Sequence, residues 1–239
     1  MPDYLIFQLY GQMAAWGDIA VGETRRSALQ PSKSALLGIV GASLGIDRNE
    51  EEIHAAMASA YGIGIKVVSA GTLLVDYHTV QVPPQKRNVV FATRKEELAA
   101  DKLGTLLSSR EYRCDAAYVV ALWSEKESAP FALKELCSAL RKPKYLLYLG
   151  RKSCPISIPC TPEVSKYETL KDALDSRADF EEKFLRFGRQ HSQMYCWDET
   201  PDSGLHATQD VERWDVPKSR QRWQFSPRTE KLFVSYKEA

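Results

Sequence analysis

The chain has 239 residues, 44% of them hydrophobic and 26% charged, and its 32 Lys and Arg nearly balance 31 Asp and Glu for a net +1. That is enough apolar material for a real core in one large domain or two small ones. The balance excludes polyanion binding by bulk basicity, so any such surface must come from uneven placement of charge.

In chain order, residues 4–9 (Tyr-Leu-Ile-Phe-Gln-Leu) have the length and β-rich composition of a buried strand, which Gly11 is expected to end. The loop 22–34 brings Arg25, Arg26 and Lys33, with Ser32 and Ser34 as possible caps, to the start of a short apolar helix over 35–46. Free N–H groups and the positive end of a helix dipole beside three cations suit a phosphate. The alternative is ordinary solvated charge ahead of a core helix.

Gly38, Gly41 and Gly45 fall on one face of that helix, and interior glycines cost about 0.5–1 kcal/mol each relative to alanine. A closely packed sheet is the expected neighbour. Residues 41–45 also spell G-x-S-x-G, but the strand and sharp turn of a nucleophile elbow are missing, so Ser43 carries no hydrolase reading.

Residues 50–60 read as a second helix with acids in its first turn. Residues 62–68 and 72–80 read as two strands of a hairpin turning at 69–71. From 81 to 113 the pattern weakens around Pro83 and Pro84, and seven cations against four acids leave +3 on an extended projection. Residues 116–123 re-enter the core as a strand, and 130–140 form an amphipathic helix.

A strand, a helical crossover, a hairpin, a strand and a helix predict an α+β fold of ferredoxin-like or RRM-like type over residues 1–150. Residues 151–239 alternate short β-like runs with proline-containing loops, so a β-rich C-terminal lobe is expected.

Two clusters interleave aromatics with cations. One holds Arg110, Tyr112 and Arg113, and the other Tyr145, Tyr148, Arg151 and Lys152. Single-stranded RNA is commonly held in this way, although each cluster alone also fits core tyrosines rimmed by charge. Residues 150–153 resemble the end of a phosphate-binding loop, but Tyr145 stands where its first glycine is needed. His78 beside Tyr77 is the one candidate for acid–base chemistry, and a lone strand histidine is more often structural.

Five cysteines without a C-x-x-C pair, and histidines scattered at 54, 78, 191 and 206, predict reduced thiols and neither metal nor cofactor. The apolar run 35–46 is too short to span a bilayer and residues 1–9 lack a signal-peptide pattern, so a soluble cytoplasmic protein is expected.

Six motifs in one order carry a family resemblance: Trp16-Gly17; Thr24-Arg25-Arg26; residues 31–46; residues 76–80; residues 110–116; and residues 142–155. Together they closely resemble the CasD family, CRISPR-associated RAMP proteins of the subtype I-E Cascade surveillance complex, over roughly residues 1–160. The resemblance implies an RRM-like palm with a thumb at about 81–113. It implies a subunit that caps the five-prime handle of the CRISPR RNA and contacts the Cascade backbone subunit and the large PAM-reading subunit. Target DNA would be met indirectly, through the complex.

On the matching positions, Arg25, Arg26, Lys33 and Ser34 would hold handle phosphates. Arg110, Tyr112, Tyr148, Arg151 and Lys152 would contact sugar, phosphate or base edges, with His78 near the thumb base. A related subtype I-C family cleaves repeat RNA with a tyrosine and an adjacent Lys-His pair. Here Arg113-Cys114-Asp115 occupies that region, which favours a non-catalytic clamp. The alternatives are a metal-independent endoribonuclease and a protein-interaction module built on the glycine-striped helix.

Overall fold

The apolar run at 4–9 lies within strand β1 (Asp3–Ala14), which is covered on both sides: Leu5, Phe7 and Leu9 enter one core, Tyr4 and Ile6 the other. A strand buried on both faces reads as a continuous hydrophobic stretch, hence its clear signal. Gly11 does not end it. A Cβ there would lie 2.6 Å from Leu149 Cδ1, so this glycine admits a packed loop.

The computed structural model describes residues 1–17, 20, 22–84, 89–125, 128–185, 192–200 and 203–236. In it β1 pairs antiparallel with β5 (Gly104–Ser124) on one side and β6 (Glu163–Lys166) on the other, and β5 pairs antiparallel with β3 (Tyr61–Ser69). Beyond β3 the same sheet continues through β7 (Ser192–Trp197) and β9 (Gln224–Tyr236) to β8 (Gln209–Ser219). The strands after residue 150 thus extend one sheet with the N-terminal ones.

Helices α1 (Lys33–Leu44) and α2 (Glu51–Ala60) connect β1 to β3, and α4 (Leu133–Arg141) connects β5 to β6. Their apolar residues, among them Leu36, Leu37, Met57 and Leu136, close the core that holds Phe7. The opposite face is closed by α5 (Leu170–Asp175) through Leu170, Ala173 and Leu174, packed with Trp123 and Trp197. A further helix, α6 (Ala178–Leu185), follows; neither α5 nor α6 belongs to the β-rich expectation for this region.

The hairpin expected at 62–80 does not form. Both runs are strands, but β4 (Thr72–Val82) pairs with the first half of β5, from Thr72 opposite Cys114 to Val82 opposite Gly104. The second half of β5 serves β1 and β3. At 21 residues β5 is about 70 Å long, far longer than the sheet core needs, and its free half makes an arm. Gly71, at φ +65°, turns the chain where a Cβ would lie 2.3 Å from the Cys114 carbonyl oxygen, and Asp115 at φ +59° marks the junction on β5. The projection therefore begins at Thr72, and two paired strands with the short helix α3 (Arg94–Leu98) build it. Lys86 and Arg87, two of its expected cations, lie outside the described residues.

Candidate nucleic-acid interface

At the base of the arm the loop before α1 joins the sheet. Strand β2 (Thr24–Arg25) pairs in parallel with β5, setting Thr24 beside Ser109 and Arg25 beside Arg110, while the Ser109 N–H donates to the Glu23 carbonyl at 3.0 Å. Further along the loop, Arg113 donates to the Ser27 and Ala28 carbonyls at 3.3 Å, and Glu111 accepts the Ser27 N–H at 3.0 Å. The Tyr118 hydroxyl accepts from Trp16 Nε1 at 2.9 Å and donates to the Leu29 carbonyl at 2.7 Å. Burial pushes the Tyr118 phenol well above its ordinary pKa, so it serves as a neutral link between strand and loop.

The second expected cluster meets the first. Arg151 lies 4.7 Å from the centroid of the Tyr112 ring and donates to the Glu111 carbonyl at 3.4 Å, while Lys152 beside it is exposed. Tyr112 is buried under that guanidinium, so its ring is a support for Arg151 rather than a free platform. The position is fixed by Gly150, at φ +85°, where a Cβ would stand 1.9 Å from the Ala15 carbonyl oxygen.

Arg25 and Arg26 are exposed, Arg110 and Arg151 half-buried. Among the described residues none of the four stands within ion-pair distance of a carboxylate; Arg25 donates only to the Gly22 carbonyl, at 2.5 Å.

Lys33 is withdrawn from this group. It is buried, with Nζ 2.8 Å from Asp198, in an ion cluster that also holds Arg228, Asp215 and Glu230. Asp215 accepts the Lys33 N–H at 2.7 Å and Ser32 Oγ accepts the Ala35 N–H at 3.2 Å, so the α1 N-terminus is already capped from within the chain. Ser34 exchanges a hydrogen bond with Ser32 at 3.0 Å. Ser43 is buried with Oγ donating to the Val40 carbonyl at 2.7 Å, the bond of a mid-helix serine and not of a nucleophile.

Among the described residues, what meets the glycine stripe is side chains rather than the backbone of a sheet. Gly38 faces the Arg220 guanidinium, Gly41 faces His54 and Gly45 faces Lys144. Arg220 is the residue that sequence inspection misses, and the gap at Gly38 is its one local signal. Tyr148 is half-buried near Arg220. His78 sits on β4 opposite Ser108, its Nε2 bonded to Asp76; Ser108 and Tyr112 are four residues apart, about 14 Å along β5.

Residues 4–230 match the family model described as CRISPR-associated protein (Cas_Cas5). The chain belongs to this Cas5 family. Within it, the CRISPR system Cascade subunit CasD of Escherichia coli (strain K12) is 35% identical over 160 residues, which are 66% of this chain and 70% of that one. The CasD resemblance drawn from the six motifs is thereby borne out. Two solved structures share the fold at a TM-score of 0.62. One is described as a CRISPR RNA-guided surveillance complex (19% identity, 98% of this chain and 90% of that chain), the other as the crystal structure of a Cas protein (23%, 98% and 95%). Among the described residues of this Cas5 protein no three His, Cys, Asp or Glu are grouped to hold a metal ion, and no helix is long and apolar enough to cross a membrane.

Proposed function

We propose that this chain is a non-catalytic RNA-binding subunit of a type I-E CRISPR Cascade complex. In this reading it clamps the five-prime handle of the CRISPR RNA between a ferredoxin-like palm and the β4–β5 arm, and joins the backbone subunit to the large PAM-reading subunit. The observation that carries it is the arginine group at the base of the arm. Arg25 and Arg110 are register partners, with Cα atoms about 4.8 Å apart, and Arg151 is propped two residues further along β5 on Tyr112. Like charges brought together with no carboxylate at ion-pair distance among the described residues repel, and a phosphate chain relieves that repulsion. The group takes in Arg26 and Lys152 but omits Lys33.

The strand order β6-β1-β5-β3, with α1 and α2 in one crossover and α4 in the other, supports a ferredoxin-like palm whose fourth strand, at Glu163–Lys166, carries it past the expected boundary at 150, and the arm supports the thumb. The absence of a Lys-His pair at 113–115 and the separation of His78 from Tyr112 favour a clamp over a nuclease. Membership in Cascade and its RNA is supported by the CasD relative and the surveillance-complex structure.

The test is retention and cleavage of labelled repeat RNA by the purified full chain, in EDTA, across a salt series. Retention without cleavage is expected. Replacing Arg25 and Arg26 together by Ala should weaken binding and flatten the salt slope by about 1.4, the loss of two single-strand phosphate contacts. Cleavage at one position, or an unchanged affinity and slope in the double variant, would overturn the proposal.

A further inference from the structure

Arg220, directly after β8, is a half-buried cation that is poorly satisfied. Its guanidinium fills the space over Gly38, with both terminal nitrogens 3.6 Å from where a Cβ would be. Nη2 donates to the Ser34 carbonyl at 2.8 Å, and Nε is buried with no hydrogen-bond partner among the described residues. Its charged neighbour is another cation, Arg48, whose Nε donates to the Arg220 carbonyl at 2.7 Å. Burial first and Arg48 second hold the Arg220 pKa below the ordinary guanidinium range, with Tyr148 acting in the opposite direction. A half-buried cation with no carboxylate at ion-pair distance among the described residues and a buried N–H lacking an acceptor there are both costly, and one anion answers both.

Three residues further on, Trp223 projects from the turn between β8 and β9 with 62% of its surface exposed. Its φ of +57° is the left-handed region, an outlier for so bulky a residue, so the turn holds the ring outward against local preference. Arg48 lies 4.9 Å from the ring centroid and Phe225 meets it edge-on at 5.5 Å. Arg222, which precedes Trp223 in the chain, is exposed. Of the acids in the 47–52 segment, Glu51 is taken by Ser219 Oγ at 2.7 Å and the Gln221 N–H at 2.9 Å. Arg48, Arg220 and Arg222 gather at an exposed indole, with Arg48 set in the acidic 47–52 segment beside Asp47, Glu50, Glu51 and Glu52; the ring and its guanidinium partners match the chemistry of an unstacked base and its phosphate. The turn also leans on the segments that carry the arginine group: Ser34 ends the 22–34 loop, and Tyr148 precedes Arg151 by three residues.

We propose that the β8–β9 turn is a second contact for single-stranded RNA, in which Arg220 takes a phosphate beside Ser34 and Trp223, backed by Arg48, stacks a base. This inference rests on the RNA-binding reading above and extends its surface to the C-terminal strands. The experiment uses the full chain and a fluorescein-labelled single-stranded RNA of the repeat handle sequence, with three variants: Trp223→Ala, the Arg25/Arg26 double alanine, and Trp214→Phe. Of the five tryptophans, Trp16, Trp123 and Trp197 are buried, so Trp214→Phe leaves Trp223 as the exposed reporter.

Trp223→Ala, a surface change, should weaken binding about 5- to 150-fold, the range for one lost base stack. RNA should also quench the indole fluorescence of Trp214→Phe. An affinity within twofold of the parent and no quench, while the double alanine loses binding, would overturn the turn contact and leave the arm-base reading standing; a turn that serves a protein partner gives that result. Loss in Trp223→Ala with none in the double alanine would support the turn and overturn the arm-base reading. No binding by the parent chain at low salt would overturn both.

Discussion

Arg228→Leu empties the centre of the buried ion cluster. In the native chain Arg228 donates to Asp215 at 2.7 and 3.0 Å, to Asp198 at 2.8 Å and to Glu230 at 2.7 Å; Lys33 completes Asp198 at 2.8 Å and Arg213 stands 3.7 Å from Glu230. Without Arg228, three carboxylates face two cations, and Asp215 keeps the Lys33 N–H but no ion pair. Stranding one side of a buried pair costs about 3–5 kcal/mol, and the network is not additive, so that range is expected for the whole change. Urea unfolding followed by tryptophan fluorescence measures it. Adding Asp215→Asn, which removes the stranded charge, should recover part of the loss. The cluster also holds the far end of the 22–34 loop, through the Lys33 N–H and through Gln30 Nε2 donating to Glu230 at 3.1 Å. Trypsin should therefore cut after Arg25 or Arg26 faster in Arg228→Leu under native conditions. A stability within about 1 kcal/mol of the parent, well below the cost of a stranded buried charge, would refute the reasoning.

Gly150→Ala should be among the most damaging single-methyl changes. The position has φ +85° and the new Cβ would stand 1.9 Å from a backbone oxygen that cannot yield, a cost of about 2–5 kcal/mol from strain and overpacking. A thermal midpoint unchanged within about 2 °C would contradict this, since a chain of this size loses about 2–4 °C per kcal/mol. Asp175 gives a pH signature. Burial works to raise its carboxyl, but hydrogen bonds from Lys171 and Lys66 at 2.6 Å and Tyr195 at 2.7 Å outweigh it, so the pKa is lowered on folding. A lowered folded value gives stability that is complete above the unfolded aspartate pKa, about 3.9, and is lost as pH falls through the folded one. Asp175→Asn should thus be less stable at neutral pH and show a shallower decline below about pH 4; parallel acid limbs for the two proteins would rule the linkage out.

What could be read from the sequence follows how local each cause is. Strand β1 and the 116–123 half of β5 were visible because both faces of each are covered, and α2 and α4 because their signals lie within one or two turns of chain. Pairing was not visible. β3 and β4 each look like strands across a short turn, yet β4 finds its partner in residues 104–114, and the choice is made by the excess length of β5. The site divides in the same way. Arg25, Arg26, Arg110, Arg151 and Lys152 announce themselves as cations near aromatics, and the structure brings Arg25 beside Arg110 and Arg151 onto Tyr112. Lys33 looks the same in sequence, but its partner Asp198 is 165 residues away and nothing near it signals an internal ion pair.

Helix α1 shows how a local signal can be sound and its first interpretation misplaced. A helix N-terminus next to serines and cations does suit an anion, but here a carboxylate of the chain itself, Asp215, takes the first N–H and Ser32 takes another, so the dipole is satisfied internally. The glycines then matter for a different reason. With no side chain at 38, 41 and 45, the helix face admits Arg220, His54 and Lys144 onto its backbone. His54 is burdened by burial, which lowers its pKa, and its Nε2 is bonded to the Asp47 carbonyl at 3.0 Å, which makes it a packing residue. Arg220 differs, because among the described residues its Nε is left without an acceptor and no carboxylate stands at ion-pair distance from its guanidinium. In the proposed reading the capacity for an anion expected at the helix end passes from the backbone N–H groups to a guanidinium that follows β8 and faces Gly38.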